Sequence, residues 1–181
     1  MANFDLYLPF LLHAEGGFID DPADPGGATN KGITLATLCD CAQDLLGLAP
    51  TLSTLKALTD RDAGVIYKLR YWDAMRADAI PHQGLAEGLV DFHVNAGHHA
   101  VVALQQAIND VDPSRMLAVD GVLGPTTFQA LLDAPGPVLA SRLAVRRIDY
   151  YQDLAARTPS LRKFLAGWTN RSEALARRRT S

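Results

Sequence analysis

The chain has only two cysteines, Cys39 and Cys41. Two are too few for a disulfide framework, which fits synthesis in a reducing compartment. Spaced C-x-C within a predicted helix, they point to different sides and do not pair with each other. The pair is also too sparse for a zinc site, so the expectation is two buried thiols acting as small apolar side chains. No run of about 18 apolar residues occurs, and no membrane insertion is expected. The opening Met1-Ala-Asn-Phe-Asp lacks a cationic stretch and the apolar run after it is broken by Pro9, so no signal peptide is expected. A cytoplasmically made protein whose substrate lies outside would need another route, such as a holin or a secretion system. The formal net charge of −3 is too small to identify a partner.

What the sequence does contain is enough apolar material for a core: 48% of 181 residues, with no low-complexity run. That length suits one domain or two small lobes sharing a core. Charge is unevenly spread. Residues 1–90 carry 6 Lys+Arg against 12 Asp+Glu, and residues 91–181 carry 11 against 8, ending in Arg177, Arg178 and Arg179. A basic half can lean on an anionic polymer, whether nucleic acid, lipid headgroups or cell wall. The plainer reading, and the one preferred on charge alone, is a solvated helix face with a frayed tail.

Phe4, Tyr7, Leu8, Leu11 and Leu12 recur at helical spacing and predict a helix over 4–15, with Pro9 accommodated only near its first turn. Gly16-Gly17 must stop it. The stretch from Phe18 to Gly32 holds Pro22, Pro25, Gly26, Gly27 and Gly32 and reads as a long ordered loop or a short hairpin. Thr34 caps a helix through 46, ended by Gly47 and Pro50. Thr59 caps another over Asp60–Ala77, with Val65, Ile66, Leu69 and Trp72 inward. A long apolar helix follows over 84–109, with a possible break near Gly97, then a loop-rich Asp110–Gly124 and helices at 125–133, 137–156 and 160–178. Without βαβ alternation or a repeat period, the expected class is mainly α with one irregular loop.

Glycosidic bonds are usually cleaved by a carboxylic acid that protonates the leaving oxygen, with a second group serving the anomeric carbon. An acid that must act protonated belongs where charge is disfavoured, beside apolar groups or at the negative end of a helix dipole. Glu15 meets both conditions: it ends an apolar helix, and Gly16-Gly17 leave space beside it for a bulky ligand. The following loop supplies Asp20, Asp21, Asp24 and Thr29. Loops of this length in compact domains usually carry function, although Asp beside Pro and Gly also simply caps turns.

The run H-A-E-G-G-F-I-D-D-P-A-D-P-G-G-A-T-N-K-G-I-T closely resembles the N-terminal signature of glycoside hydrolase family 108, N-acetylmuramidases of lysozyme-like helical fold. Ile66-Tyr67-Lys68-Leu69-Arg70-Tyr71-Trp72 is similar to the family's Y-x-x-x-Y-W segment, and Val90 to Gly97 looks like its D-x-x-x-N-x-G helix. Leu104-Gln105 with Asp120-Gly121-Val122-Leu123-Gly124-Pro125-Thr126-Thr127 resembles the pattern of the peptidoglycan-binding region that follows, and Gly167 to Arg171 resembles its closing segment. The E-G-G…D-P-G-G-x-T-x-x-G-I-T block is specific; D-G-x-x-G alone is not. The resemblance implies a lysozyme-like lobe over 1–95 and a peptidoglycan-binding-like region over 96–181, packed into the same compact unit. It implies hydrolysis of the β-1,4 bond between N-acetylmuramic acid and N-acetylglucosamine, with Glu15 as acid.

The spacing of Glu15, Asp24 and Thr29 is close to the Glu–Asp–Thr set of phage-type lysozymes, but the last gap is one residue shorter. That departure leaves the roles of Asp24 and Thr29 open, and Asp20 or Asp21 remain alternatives. It also leaves open inversion, which needs carboxylates roughly 6.5–9.5 Å apart, and retention at about 5 Å. Asp91 and Asn95 share a helix face. In the family that helix lines the cleft, so Asn95 is a candidate for an N-acetyl group; the pair could equally stabilise a helix–loop junction. Tyr71 offers a flat face for a sugar ring, whereas Trp72 reads better as core. His98-His99 are adjacent, should diverge on a helix, and with no further ligand pattern suggest no metal. Asp120-Gly121 is a turn signal that needs no function. The expected partner is a peptidoglycan glycan strand, bound by a monomer without cofactor and without nucleic acid. A lytic transglycosylase and a non-catalytic wall-binding or secretion-assisting protein are the alternative readings.

Overall fold

A computed structural model of the chain describes residues 1–20 and 27–178. The architecture is mainly α, as expected. The chain divides into two compact units, Phe4–Ala74 and Met1–Asn3 with Met75–Ser181.

The first unit opens with α1 (Phe4–Glu15), which buries Phe4, Tyr7 and Leu11 along one stripe. Pro9 sits inside this helix, not in its first turn. The backbone tolerates it because Asp5, whose carbonyl a donor there would have served, lies on the exposed side with Pro9 itself. Strands β1 (Thr29–Asn30) and β2 (Ile33–Thr34) pair antiparallel across the two residues Lys31 and Gly32. Both have positive φ, 52° and 74°, the signature of a type I′ hairpin turn. Ile19 extends the pairing through reciprocal 2.8 Å bonds with Thr29.

Thr34 then caps α2 (Leu35–Leu46) by accepting from Thr37 N–H at 3.0 Å, and Gly47 ends it in the left-handed conformation. A short helix α3 (Leu52–Lys56), capped by Thr51, was not foreseen. Thr59 and Asp62 form a reciprocal capping box that starts α4 (Asp60–Tyr67). The helix expected to run on to Ala77 instead widens into a π-helical turn over Lys68–Trp72, closed by Asp73 N–H donating to Lys68 C=O at 2.8 Å. Trp72 is core: it lies edge-on to Phe4 at 5.4 Å and stacks with Tyr7 at 6.0 Å. Cys41 is buried, but Cys39 is exposed, against the expectation of two buried thiols. Two positions on, the amphipathic α2 has turned its other face outward.

The second unit is a packing of α5 (Gln83–Ala96), α6 (His99–Val111), α8 (Gly136–Arg157) and α9 (Leu165–Arg178). The shorter α7 (Pro125–Asp133) lies against α6 and α8. Gly97, at φ 57° and ψ −133°, breaks the apolar run into α5 and α6 at the place expected. The packing boundary near residue 75 differs from the motif boundary at 95/96. Its physical reason is α5, whose apolar faces are covered by α6, α8 and α9. The terminal helix is preceded by a 3-10 segment over Pro159–Phe164. No helix among the described residues is long and apolar enough to cross a membrane.

Candidate functional site

Glu15 is the last residue of α1, half-buried, and Gly16 leaves the helix with φ 75°. What holds its carboxyl is the hairpin turn. A methyl group on Gly32 would lie 2.5 Å from Glu15 Oε2 and 2.9 Å from its Cδ, and would strike the Tyr67 hydroxyl. The carboxyl and the phenol therefore both close on the Cα of Gly32, a space only glycine leaves open. Tyr67 is 2% exposed, and its hydroxyl donates to the Lys31 carbonyl at 2.9 Å.

Three further contacts fix this corner. Asn30 is buried, and its Nδ2 donates to the carbonyls of Leu55 (2.8 Å) and Lys56 (3.2 Å), tying the hairpin to the end of α3. Lys31 Nζ pairs with Asp60 at the start of α4. The π-helical turn leaves Tyr71 half-buried with its ring 5.5 Å from that of Tyr67. Burial pushes the Tyr71 hydroxyl above its ordinary range; Arg70 opposes this, and the charges of Cys41 and Glu15 add to it. Tyr71 thus stays a neutral donor at physiological pH, within electrostatic reach of Glu15.

Glu15, Thr29 and Tyr71 therefore lie in one compact unit. Thr29 is half-buried, its backbone held by Ile19, three positions ahead of Gly32. Asp24 and the alternative Asp21 lie outside the described residues; Asp20 is exposed. Sequence reasoning missed Asn30 and the role of Tyr67. An Asn just before a turn reads equally as a turn residue, and Tyr67 stood out only as the first Tyr of the Y-x-x-x-Y-W segment.

Asp91 and Asn95 belong to the other unit. Asp91, a candidate for the substrate together with Asn95, is engaged within the fold. Its carboxylate is 0% exposed, accepting from Arg147 at 2.7 Å and from Arg171 Nε and Nη2 at 3.0 and 2.8 Å. Burial alone would raise this carboxyl, but the two guanidinium groups outweigh it and hold it below the usual carboxylate range. It is an ion-pair centre joining α5, α8 and α9, with both oxygens already engaged. Asn95 is exposed, and its Nδ2 donates to the Asp91 main-chain carbonyl at 2.7 Å.

The D-G motif is likewise used by the fold. Gln105, 1% exposed, donates to Asp120 Oδ1 at 2.7 Å and accepts from Gly121 N–H at 2.9 Å. Gly121 turns the chain at φ 75°. His98 and His99 do not diverge: at the start of α6 their rings lie 4.1 Å apart. A cavity of about 310 Å³ bounded by Pro81, His82, Leu85, Leu131 and Pro137 has no carboxylate in its wall and so supplies no acid.

Two family models match the chain. The profile described as glycosyl hydrolase 108 matches residues 8–97, and that described as a predicted peptidoglycan domain matches residues 99–173. The solved structure of Brucella abortus SagA is similar over 98% of this chain and 93% of that one, with 31% identity and a TM-score of 0.77. No curated protein matches. The protein is thus a glycoside hydrolase directed at peptidoglycan. More narrowly, the chain belongs to the glycosyl hydrolase 108 family.

Proposed function

We propose that the protein hydrolyses the β-1,4 bond between N-acetylmuramic acid and N-acetylglucosamine, with Glu15 as the general acid. The observation that carries this reading is the convergence of the Glu15 carboxyl and the Tyr67 hydroxyl on Gly32, at the end of α1. A carboxyl at a helix C-terminus gains nothing from the dipole. Its careful confinement by a hairpin turn is then understood as a catalytic requirement. In this reading Glu15 protonates the leaving oxygen, and Tyr71, a neutral donor beside it, hydrogen-bonds the sugar. Thr29 and Asp24, assigned from their spacing and the family resemblance, serve the attacking water or the developing positive charge.

The test is digestion of purified peptidoglycan by wild type and Glu15→Gln, with products read by mass spectrometry. Wild type should release reducing ends carrying one added water. Loss of the acid should lower the rate by about 10²–10⁴. Full activity in Glu15→Gln would sink the assignment, and 1,6-anhydro ends would replace hydrolysis by transglycosylation.

A further inference from the structure

One cation beside the acid-bearing corner is only weakly held. Arg70 lies in the π-helical turn, next to Tyr71, and its side chain is 37% exposed. Among the described residues it pairs with one carboxylate, that of Asp40 on α2, itself 68% exposed, with Nη2 and Oδ2 3.9 Å apart. That is beyond hydrogen-bond reach, and an ion pair so open to water contributes little. The guanidinium donates no hydrogen bond among the described residues. Its neighbours differ: Lys31 is held by Asp60 and Lys68 by Asp73.

The place of this cation is set by its neighbours. Burial holds the Tyr71 hydroxyl above its ordinary range, and Arg70 is the charge that acts on it most, ahead of Cys41 and Glu15. The Tyr71 ring lies 5.5 Å from that of Tyr67, whose hydroxyl meets the Glu15 carboxyl over Gly32. Acid, phenol pair and guanidinium thus follow one another inside a single compact unit. π-Helical turns recur at functional sites, and this one carries both Arg70 and Tyr71. Charge gives the position its use. Residues 1–90 carry 12 Asp+Glu against 6 Lys+Arg, yet their site must admit a polymer that itself bears carboxylates. That repulsion has to be offset where the strand lies down. A guanidinium, with five donors in a planar fork, is the side chain best shaped to take a carboxylate.

We propose that Arg70 is a specificity residue, pairing with a carboxylate on the 3-O substituent of N-acetylmuramic acid while the adjoining sugar meets Tyr71 and Glu15. That substituent is a lactyl group, either free or amide-linked to a stem peptide that bears carboxylates. Neutral glycans of N-acetylglucosamine lack it. The contact therefore selects muramic-acid strands over neutral ones, a discrimination that a general acid and a neutral phenol do not supply. Asp40 is the resting partner that Arg70 exchanges for the substrate. This role presupposes that the Glu15 corner is where the strand is cut, and is independent of the stereochemistry of the cut.

The test uses the full chain and a soluble tetrasaccharide of alternating N-acetylglucosamine and N-acetylmuramic acid that carries stem peptides. Binding is read by calorimetry in Glu15→Gln, with and without Arg70→Gln. Loss of the guanidinium should raise Kd about tenfold, the worth of one charge-assisted hydrogen bond, and flatten its salt dependence. Arg70→Lys, which keeps the charge, should recover part of the loss. In the enzyme that keeps Glu15, Arg70→Gln should raise KM by a like factor at nearly unchanged kcat. An amidase that removes the stem peptides leaves free lactyl carboxylates: a difference that persists there names the lactyl group, and one that vanishes names the stem peptide. With every carboxylate amidated, Arg70→Gln should match its parent. Arg61→Gln, which removes an exposed cation from the first turn of α4, should change none of these values. Equal binding with and without Arg70 would overturn the proposal. So would a loss that persists on the amidated strand, which would make Arg70 a support for Tyr71 alone. Turnover of no strand by wild type, with the Arg70 difference in Kd intact, would sink the hydrolytic reading and leave this one standing.

Discussion

At Gly32 the presence or absence of one methyl group governs where a carboxyl sits. The residue has φ 74° and its missing Cβ is the space into which Glu15 and Tyr67 close. Gly32→Ala should cost about 1–2 kcal/mol from the left-handed backbone. The half-buried Glu15 end can swing aside, whereas the buried Tyr67 hydroxyl can only give by a small shift, so the fold survives while the carboxyl leaves its position. The expected result is a near-native circular dichroism spectrum with kcat lowered on the order of a hundredfold. Cysteine reactivity is decided at the same scale. In the native protein only the exposed Cys39 should react promptly with a thiol reagent, and the buried Cys41 should follow only in denaturant. Glu15 was legible in the sequence because helix end, glycine pair and family motif coincide there. The functions of Tyr67 and Asn30 were not, because each depends on a partner 25 or more positions away.

Among the elements, those with strong local chemistry were read well. Thr34 and Gly47 bound α2, Thr59 begins α4, and Gly97 separates α5 from α6. The π-helical turn at Lys68–Trp72 was not read, since its apolar spacing also fits an ordinary helix and tertiary packing of Trp72 selects the wider turn. Asp91 shows the same limit. Its place four residues before Asn95 suggested a ligand-facing pair, but Arg147 and Arg171 come from helices far along the chain. Removing one partner of a buried charge set leaves the others uncompensated, so Asp91→Asn should cost about 3–5 kcal/mol. Calorimetry should show a melting temperature lower by roughly 6–20 °C. A mere substrate contact at Asp91 would leave that temperature unchanged.

For the molecule as a whole, acid should be the weak side. Arg146, with Arg142, holds Asp110 down at about 2 from 3.8, against a smaller opposing effect of burial, and Asp91 is lowered too. Below pH 4 the unfolded chain therefore takes up protons that the folded chain refuses. The stability these carboxylates contribute, present in full above about pH 4, is lost as the pH falls toward 2. Thermal melts between pH 2 and 5 should decline steeply, and Asp110→Asn should flatten part of that slope. The charge asymmetry between the two halves was visible in the sequence, but its meaning was not. Charge alone favoured a solvated helix face and a frayed tail; only the folded unit shows that Arg147 and Arg171 meet inside it on Asp91. By itself the sequence determined the mainly α class, the Thr34 and Thr59 caps and the family, because caps, periodicity and contiguous motifs act over a few residues. Tertiary structure alone decided that Gly32 and Tyr67 fix Glu15 and that Asp91 is an ion-pair centre. Each of those needs side chains far apart in the chain to meet, and spacing carries no record of such meetings.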